Sequence, residues 1–174
     1  MDHVAGGRGG LSVQLDLRLV DPAGNVLSEL HRDNDPTTLQ CAQLFQGALL
    51  AVAFSSAVKD TGGTSRSVSA GSAGTSPEIA FGTGTTPSAF TDYVIQTNAG
   101  TGSPASATVN AISSNTFTVT ALWTNGTGST VTVSELALYI TVATYTFCIT
   151  HDVFTGQSVA NGVSASATLT FTWS

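Results

Sequence analysis

Charge is what this sequence most lacks. Asp, Glu, Lys and Arg make up only 9% of its 174 residues, against about 25% in an ordinary soluble domain. All five basic residues (Arg8, Arg18, Arg32, Lys59 and Arg66) fall in the first 66 positions, and neither Lys nor Arg occurs from Ser67 onward. Nucleic-acid readers need cations to neutralise phosphate, and attachment to anionic lipid needs them too. No nucleic acid and no membrane is therefore expected as a partner. Apolar runs are short as well. The longest, 48–54, is far below the roughly 20 residues that cross a bilayer. The opening MDHVAGG has neither the basic start nor the apolar stretch of a secretory signal. Cysteine is confined to Cys41 and Cys148, each among apolar neighbours where a free thiol packs well, and neither has a His or Cys at zinc-binding spacing. Unpaired thiols and synthesis in a reducing cytoplasm are the expectation.

What the sequence has instead is Ser, Thr, Ala and Gly around a hydrophobic fraction of 41%, enough apolar matter for one folded domain. A hydroxyl-rich, ion-poor surface is wet without being repulsive. It suits a chain packed against copies of itself or against another protein better than a solitary one. Residues 1–10 are Gly-rich and patternless and read as a flexible arm, which leaves 11–174 as a single domain.

The segment LSVQLDLRLV at 11–20 alternates, with Leu11, Val13, Leu15, Leu17 and Leu19 on one face, and predicts a half-buried strand. Asp21-Pro22-Ala23-Gly24-Asn25 is turn chemistry, and 26–30 returns as a second strand. Asp35-Pro36 supplies an N-cap and a first helical residue. Leu39, Ala42, Phe45, Leu49 and Val52 then recur at spacings of three and four, opposite Gln40, Gln43 and Gln46. One amphipathic helix is predicted over about 36–54. Residues 59–76 read as a Gly/Ser/Thr-rich link with a short strand near 67–70.

Farther on, TFTVTALW at 116–123 directs Phe117, Val119, Ala121 and Trp123 inward against outward threonines. Asn125-Gly126 signals a tight hairpin, with 129–133 running back, and 167–173 places Leu169, Phe171 and Trp173 inward. Val131 and Val133 keep one phase while Leu136, Leu138 and Ile140 keep the other, so a bulge is predicted near Ser134-Glu135. Many short Thr/Val-rich strands with a single early helix predict a mainly β protein, an antiparallel β-sandwich of jelly-roll-like type.

Candidate chemistry is sparse. FGTGTTP at 81–87 has no lysine for a P-loop and no third glycine opening a helix for a dinucleotide fingerprint. It reads as a rim turn in which Gly82 and Gly84 supply positive φ. His151 and Asp152 are adjacent, so on a strand they point to opposite faces, and a dyad would have to recruit His3 or His31. Glu78, Asp92, Glu135 and Asp152 are too scattered for paired-carboxylate work unless the fold converges two of them. Asp33-Asn34-Asp35 lacks the glycine and distal Glu of a calcium loop, and helix capping explains it. Asn125-Gly126-Thr127 matches a glycosylation acceptor but is read as the hairpin turn. No catalytic residue, cofactor or metal is expected.

Three phrases together resemble minor structural proteins of tailed bacteriophages. IAFGTGTTPSAFTD (79–92) is similar to a phrase of the form I-x-x-G-T-G-T-T-x-P-x-x-x-D, and SELALY (134–139) to the N-E-x-G-L-Y/F phrase that follows it. Val153-Phe154, then GQSVANG (156–162) and the Thr-rich run into Phe171-Thr172-Trp173, are similar to their closing strands. The resemblance implies a non-enzymatic virion protein, made in the host cytoplasm. A capsid decoration or cement protein that binds the major capsid protein as a homo-oligomer, a trimer on the shell, is the first expectation. A tail, collar or fibre-base component is the second. A carbohydrate-binding or adhesin module is the alternative of another class, and it would need an exposed Tyr93 or Tyr139, since Trp123 and Trp173 are in phase with the core. The expected assembly contacts are Val4, Gly6, Arg8 and Gly10 of the arm, Arg66, and Gly82, Thr83 and Gly84.

Overall fold

The computed structural model describes residues 11–33, 37–50, 54–69 and 74–173. The arm, with Val4, Gly6, Arg8 and Gly10, lies outside the described residues, as do Asp35-Pro36 and Val52. The described residues are mainly β, with one helix. Its strands are β1 (Leu11–Val20), β2 (Val26–Arg32), β3 (Phe54–Lys59), β4 (Ser65–Val68), β5 (Thr75–Gly82), β6 (Ala105–Val109), β7 (Thr116–Thr124), β8 (Val131–Val142), β9 (Tyr145–Val159) and β10 (Ser164–Trp173). The helix α1 spans Leu39–Leu50. Eight strands form one antiparallel sheet in the order β2-β1-β10-β7-β6-β5-β8-β9, and β3 pairs with β4 separately.

Alternation decides the register. Along β1, Val13, Leu15, Leu17 and Leu19 are buried while the residues between them are not. Opposite them β10 sets Phe171, Leu169, Ala167 and Ala165, and β7 continues the rows with Phe117, Val119, Ala121 and Trp123. Ala165 between Leu19 and Trp123 leaves room for the indole, the large–small alternation that a close-packed interior requires. Phe117 stacks on Phe171 at 4.7 Å between centroids. Outward, hydroxyls face hydroxyls: Thr116 meets Thr172 and Thr120 meets Thr168.

The sheet curls until its two edge strands meet. Ser28 on β2 donates to Gln157 on β9 at 2.9 Å, and Arg32 to Asp152 at 3.2 Å. The result is a nearly closed barrel whose seam is bridged by side chains. The start of α1 covers part of the β9 edge: the Thr38 amide donates to the Ile149 carbonyl at 2.9 Å, and its hydroxyl donates to the Cys148 carbonyl. Edge strands need such covering to avoid pairing with other chains.

Several expectations are corrected. The helix begins at Leu39 with Thr38 as its cap, the Thr38 hydroxyl accepting from the Cys41 amide at 3.3 Å. Its face is rotated relative to the apolar count, since Gln40 and Leu44 are buried while Phe45 is 53% exposed. Anchoring of Thr38 on β9 sets the rotation. Residues 54–59 are a strand rather than helix end and link.

Asn125-Gly126 makes no hairpin, because β7 and β8 are separated by β6 and β5. The Asn125 side chain is instead a buried bracket that donates to the carbonyls of Ser129 and Val159, each at 2.8 Å, and accepts from Thr127. Trp173 is 38% exposed, because it ends β10 beyond the core. The bulge, in contrast, falls where the phase change places it: the β8–β9 register shifts between Val133 and Glu135. Cys41 and Cys148 are not joined in a disulfide.

Candidate functional site

The outer face of β5, β8 and β9 carries a second, smaller core of Ala80, Ile95, Ala137, Tyr139 and Cys148, roofed by the loop 83–98. At its centre are two ionisable side chains withdrawn from water, Glu135 at 0% and His151 at 1% exposure. The bulge delivers Glu135 to this face. Ala137 pairs with His151 and Glu135 with Val153, so Glu135 and His151 are diagonal neighbours on one face, close enough to interact.

The hydrogen bonding of Glu135 is complete. Oε1 accepts from the amides of Gly84 at 2.8 Å and Thr97 at 2.9 Å, and Oε2 accepts from the amide of Gln96 at 2.9 Å. His151 Nε2 is 3.0 Å from Oε2, and Nδ1 is 2.8 Å from Asp92 Oδ2. Asp92 also accepts from the Ala89 amide at 2.7 Å. Nearby, the Ser134 hydroxyl donates to the Gly84 carbonyl, and the Tyr139 hydroxyl accepts from the Ile95 amide, both at 2.8 Å. Both ends of the loop are thereby tied to β8, and its middle to β9.

The fold thus converges Asp92 and Glu135, two of the four scattered carboxylates, on His151. Asp152 points the other way, to Arg32, as adjacency on a strand demands. His31 is exposed and bonded to Asp16 and Asp33, so it takes no part. With a carboxylate at each ring nitrogen, the imidazolium is the form that satisfies both acceptors.

Burial alone would lower the His151 pKa, but the bonds to Glu135 and Asp92 and their charges outweigh it and raise the pKa above its ordinary 6.5. Burial alone would raise that of Glu135, but His151 and the three amides overcome it and leave the carboxyl below 4.5. In the imidazolium form each ring nitrogen donates to a carboxylate and neither keeps a free lone pair. The arrangement is a clamp that holds a loop.

Gly82 and Gly84 serve that clamp, and not by positive φ, which neither adopts. A Cβ on Gly82 would stand 2.5 Å from Glu135 Cγ and 2.6 Å from the Thr97 carbonyl; one on Gly84 would stand 2.5 Å from Glu135 Oε1. Glycine is needed there for close approach. The two are enclosed against Glu135, and Thr83 between them is half-buried. Arg66 lies elsewhere, bonded to Asp60 at 2.6 Å with its guanidinium 4.1 Å from the centroid of Tyr145. Tyr139 is buried, and Tyr93 is half-buried beneath the Lys59 ammonium.

A pH dependence follows. The raised pKa of His151 contributes stability that is full below about 6.5 and is lost as pH rises through the folded value. The lowered pKa of Glu135 contributes stability that is full above about 4.5 and is lost as pH falls through its folded value. Asp152, raised chiefly by burial, opposes part of the acid loss. Thermal melting followed across pH is expected to plateau between about 4.5 and 6.5, and H151Q should flatten the alkaline limb more than H31Q does.

The chain matches no protein-family model, no curated protein and no solved structure.

Proposed function

We propose that the chain is a non-enzymatic virion structural protein, a capsid decoration protein that binds the shell and stabilises it. The observation that carries the reading is where the resembling phrases meet. Gly82, Gly84 and Asp92 of the first phrase and Glu135 and Tyr139 of the second are partners in one clamp, completed by His151 just before the third. Spacings that look arbitrary in the sequence become one physical unit.

The surface supports the same reading. Each described cation is engaged: Arg18 with Glu29, Arg32 with Asp152, Lys59 over Tyr93 and Arg66 with Asp60. Little charge is left over for phosphate, while hydroxyl-clad β7 and β10 suit contact with protein. The proposal extends to the fold: the nearly closed sheet is read as a jelly-roll-like sandwich, with β2-β1-β10-β7 as one layer and β6-β5-β8-β9 as the other.

The test uses expanded empty shells of the phage that carries the chain. The protein is expected to co-sediment with them at fixed stoichiometry and to raise their melting temperature. Its localisation to the tail in images of intact particles, or turnover of an ester or glycoside panel that is lost in H151A, would replace the proposal.

A further inference from the structure

The bulge also opens a cavity. Val133 pairs with Gln157 and Glu135 with Val153, so β9 sets Phe154, Thr155 and Gly156 against the one residue Ser134. Bulges commonly reshape a sheet beside a binding site. Here the displaced backbone borders a groove of about 650 Å³, within the roughly 300–1,000 Å³ of small-molecule sites. Among the described residues Thr83, Thr85, Thr130, Thr132 and Thr155 line it together with Phe154, and no charged side chain does. None of these five hydroxyls bonds to another group among the described residues. On the sheet exterior Thr116, Thr120 and Thr124 are paired across strands while Thr108 and Thr170 are not, so what sets the groove apart is five threonines gathered around one concavity. The wall that bears Thr83 and Thr85 is held in place by the bond from the Gly84 amide to Glu135.

We propose that this groove binds an uncharged saccharide. A sugar offers hydroxyls that both donate and accept beside patches of C–H, and threonine offers hydroxyl and methyl side by side. These take the place of the exposed tyrosine that a dedicated carbohydrate-binding module would use, since Tyr139 is buried and Tyr93 half-buried. A charged ligand finds no counter-charge. An extended peptide would seek a sheet edge with open backbone groups, whereas the groove lies on a face where β8 and β9 are paired with each other above and below the bulge. The inference is independent of the attachment to a shell.

The test is an NMR titration of the full chain with maltotriose, cellotriose, chitotriose and lacto-N-tetraose. Each is taken to about 10 mM, enough to fill a site with a Kd of about 1 mM. At least one neutral oligosaccharide is expected to give saturable shifts centred on the amides of 83–85, 130–134 and 154–156. The variant T83V/T132V/T155V should weaken that binding by about tenfold or more with its melting temperature unchanged. Should the triple variant fail to fold, T155V alone, at an exposed position, should weaken binding by a smaller factor.

Silence from all four sugars, shifts centred elsewhere, or undiminished binding by a folded variant would overturn the proposal. So would a Gly/Ser/Thr-rich decapeptide that saturates these amides where the sugars do not, which would assign the groove to a protein partner. Shell binding, measured separately, bears on neither outcome.

Discussion

Glu135→Ala is expected to remove roughly 3–5 kcal/mol of stability, the cost of stripping one partner from a buried ion pair. For a chain of this length that is a fall of roughly 6–20 °C in Tm. Three backbone amides lose their acceptor, and His151 keeps a buried positive charge with Asp92 alone. Urea unfolding measures the loss. Glu135→Gln separates the two parts of the effect: it keeps the size and one carbonyl acceptor but removes the charge, so the His151 pKa read by NMR should fall. A variant E135A within about 1 kcal/mol of the parent would show that the loop is held by other means.

Gly84→Ala and Gly82→Ala should each cost about 3 kcal/mol, the upper end of what overpacking a filled site costs. The added methyl on Gly84 meets Glu135 Oε1, and that on Gly82 meets both Glu135 Cγ and the Thr97 carbonyl. Backbone cannot rotate away as a flexible side chain can, so G82A should be the worse of the two. Gly126 is the control, since nothing lies within 4 Å of a Cβ there and its φ is not positive. G126A should therefore be neutral or stabilise by a few tenths of a kcal/mol, through the unfolded chain. A Cβ on Gly84 would also stand 2.6 Å from Gln96 Oε1 and 2.7 Å from Gln96 Cβ, so E135A should relieve only part of the cost of G84A, with a coupling of about 1 kcal/mol in a double-mutant cycle.

Strand alternation was legible wherever one face is buried and the other hydroxylated, as at 11–20, 116–123 and 167–173. The phase change at Ser134-Glu135 was legible for the same reason. What the pattern could not carry is pairing between distant segments. Asn125-Gly126 has hairpin chemistry, yet its neighbours pair elsewhere in the sheet, and a buried side-chain bracket at Asn125 leaves no local trace.

Spacing along α1 predicted the wrong face because an anchor on another element, Thr38 on β9, sets the helix rotation. The clamp was half visible: two glycines beside a threonine, a lone Glu at a bulge and a His on a strand each stood out. Their meeting spans 67 residues of chain, from Gly84 to His151, and no local rule brings Asp92 and Glu135 to the same imidazole. A carboxylate placed just past a bulge within an apolar strand was the one available signal.

The pairing of β1 with β10 runs the whole length of both strands, from Leu11 beside Trp173 to Val20 beside Ser164. The first strand of the domain therefore waits for its last, and the apolar stripe from Val13 to Leu19 lacks its β10 partner until that strand is made. Assembly of this domain is governed by contacts between distant segments and is correspondingly slow. A chain cut before Ser164 would leave that stripe without its matching edge.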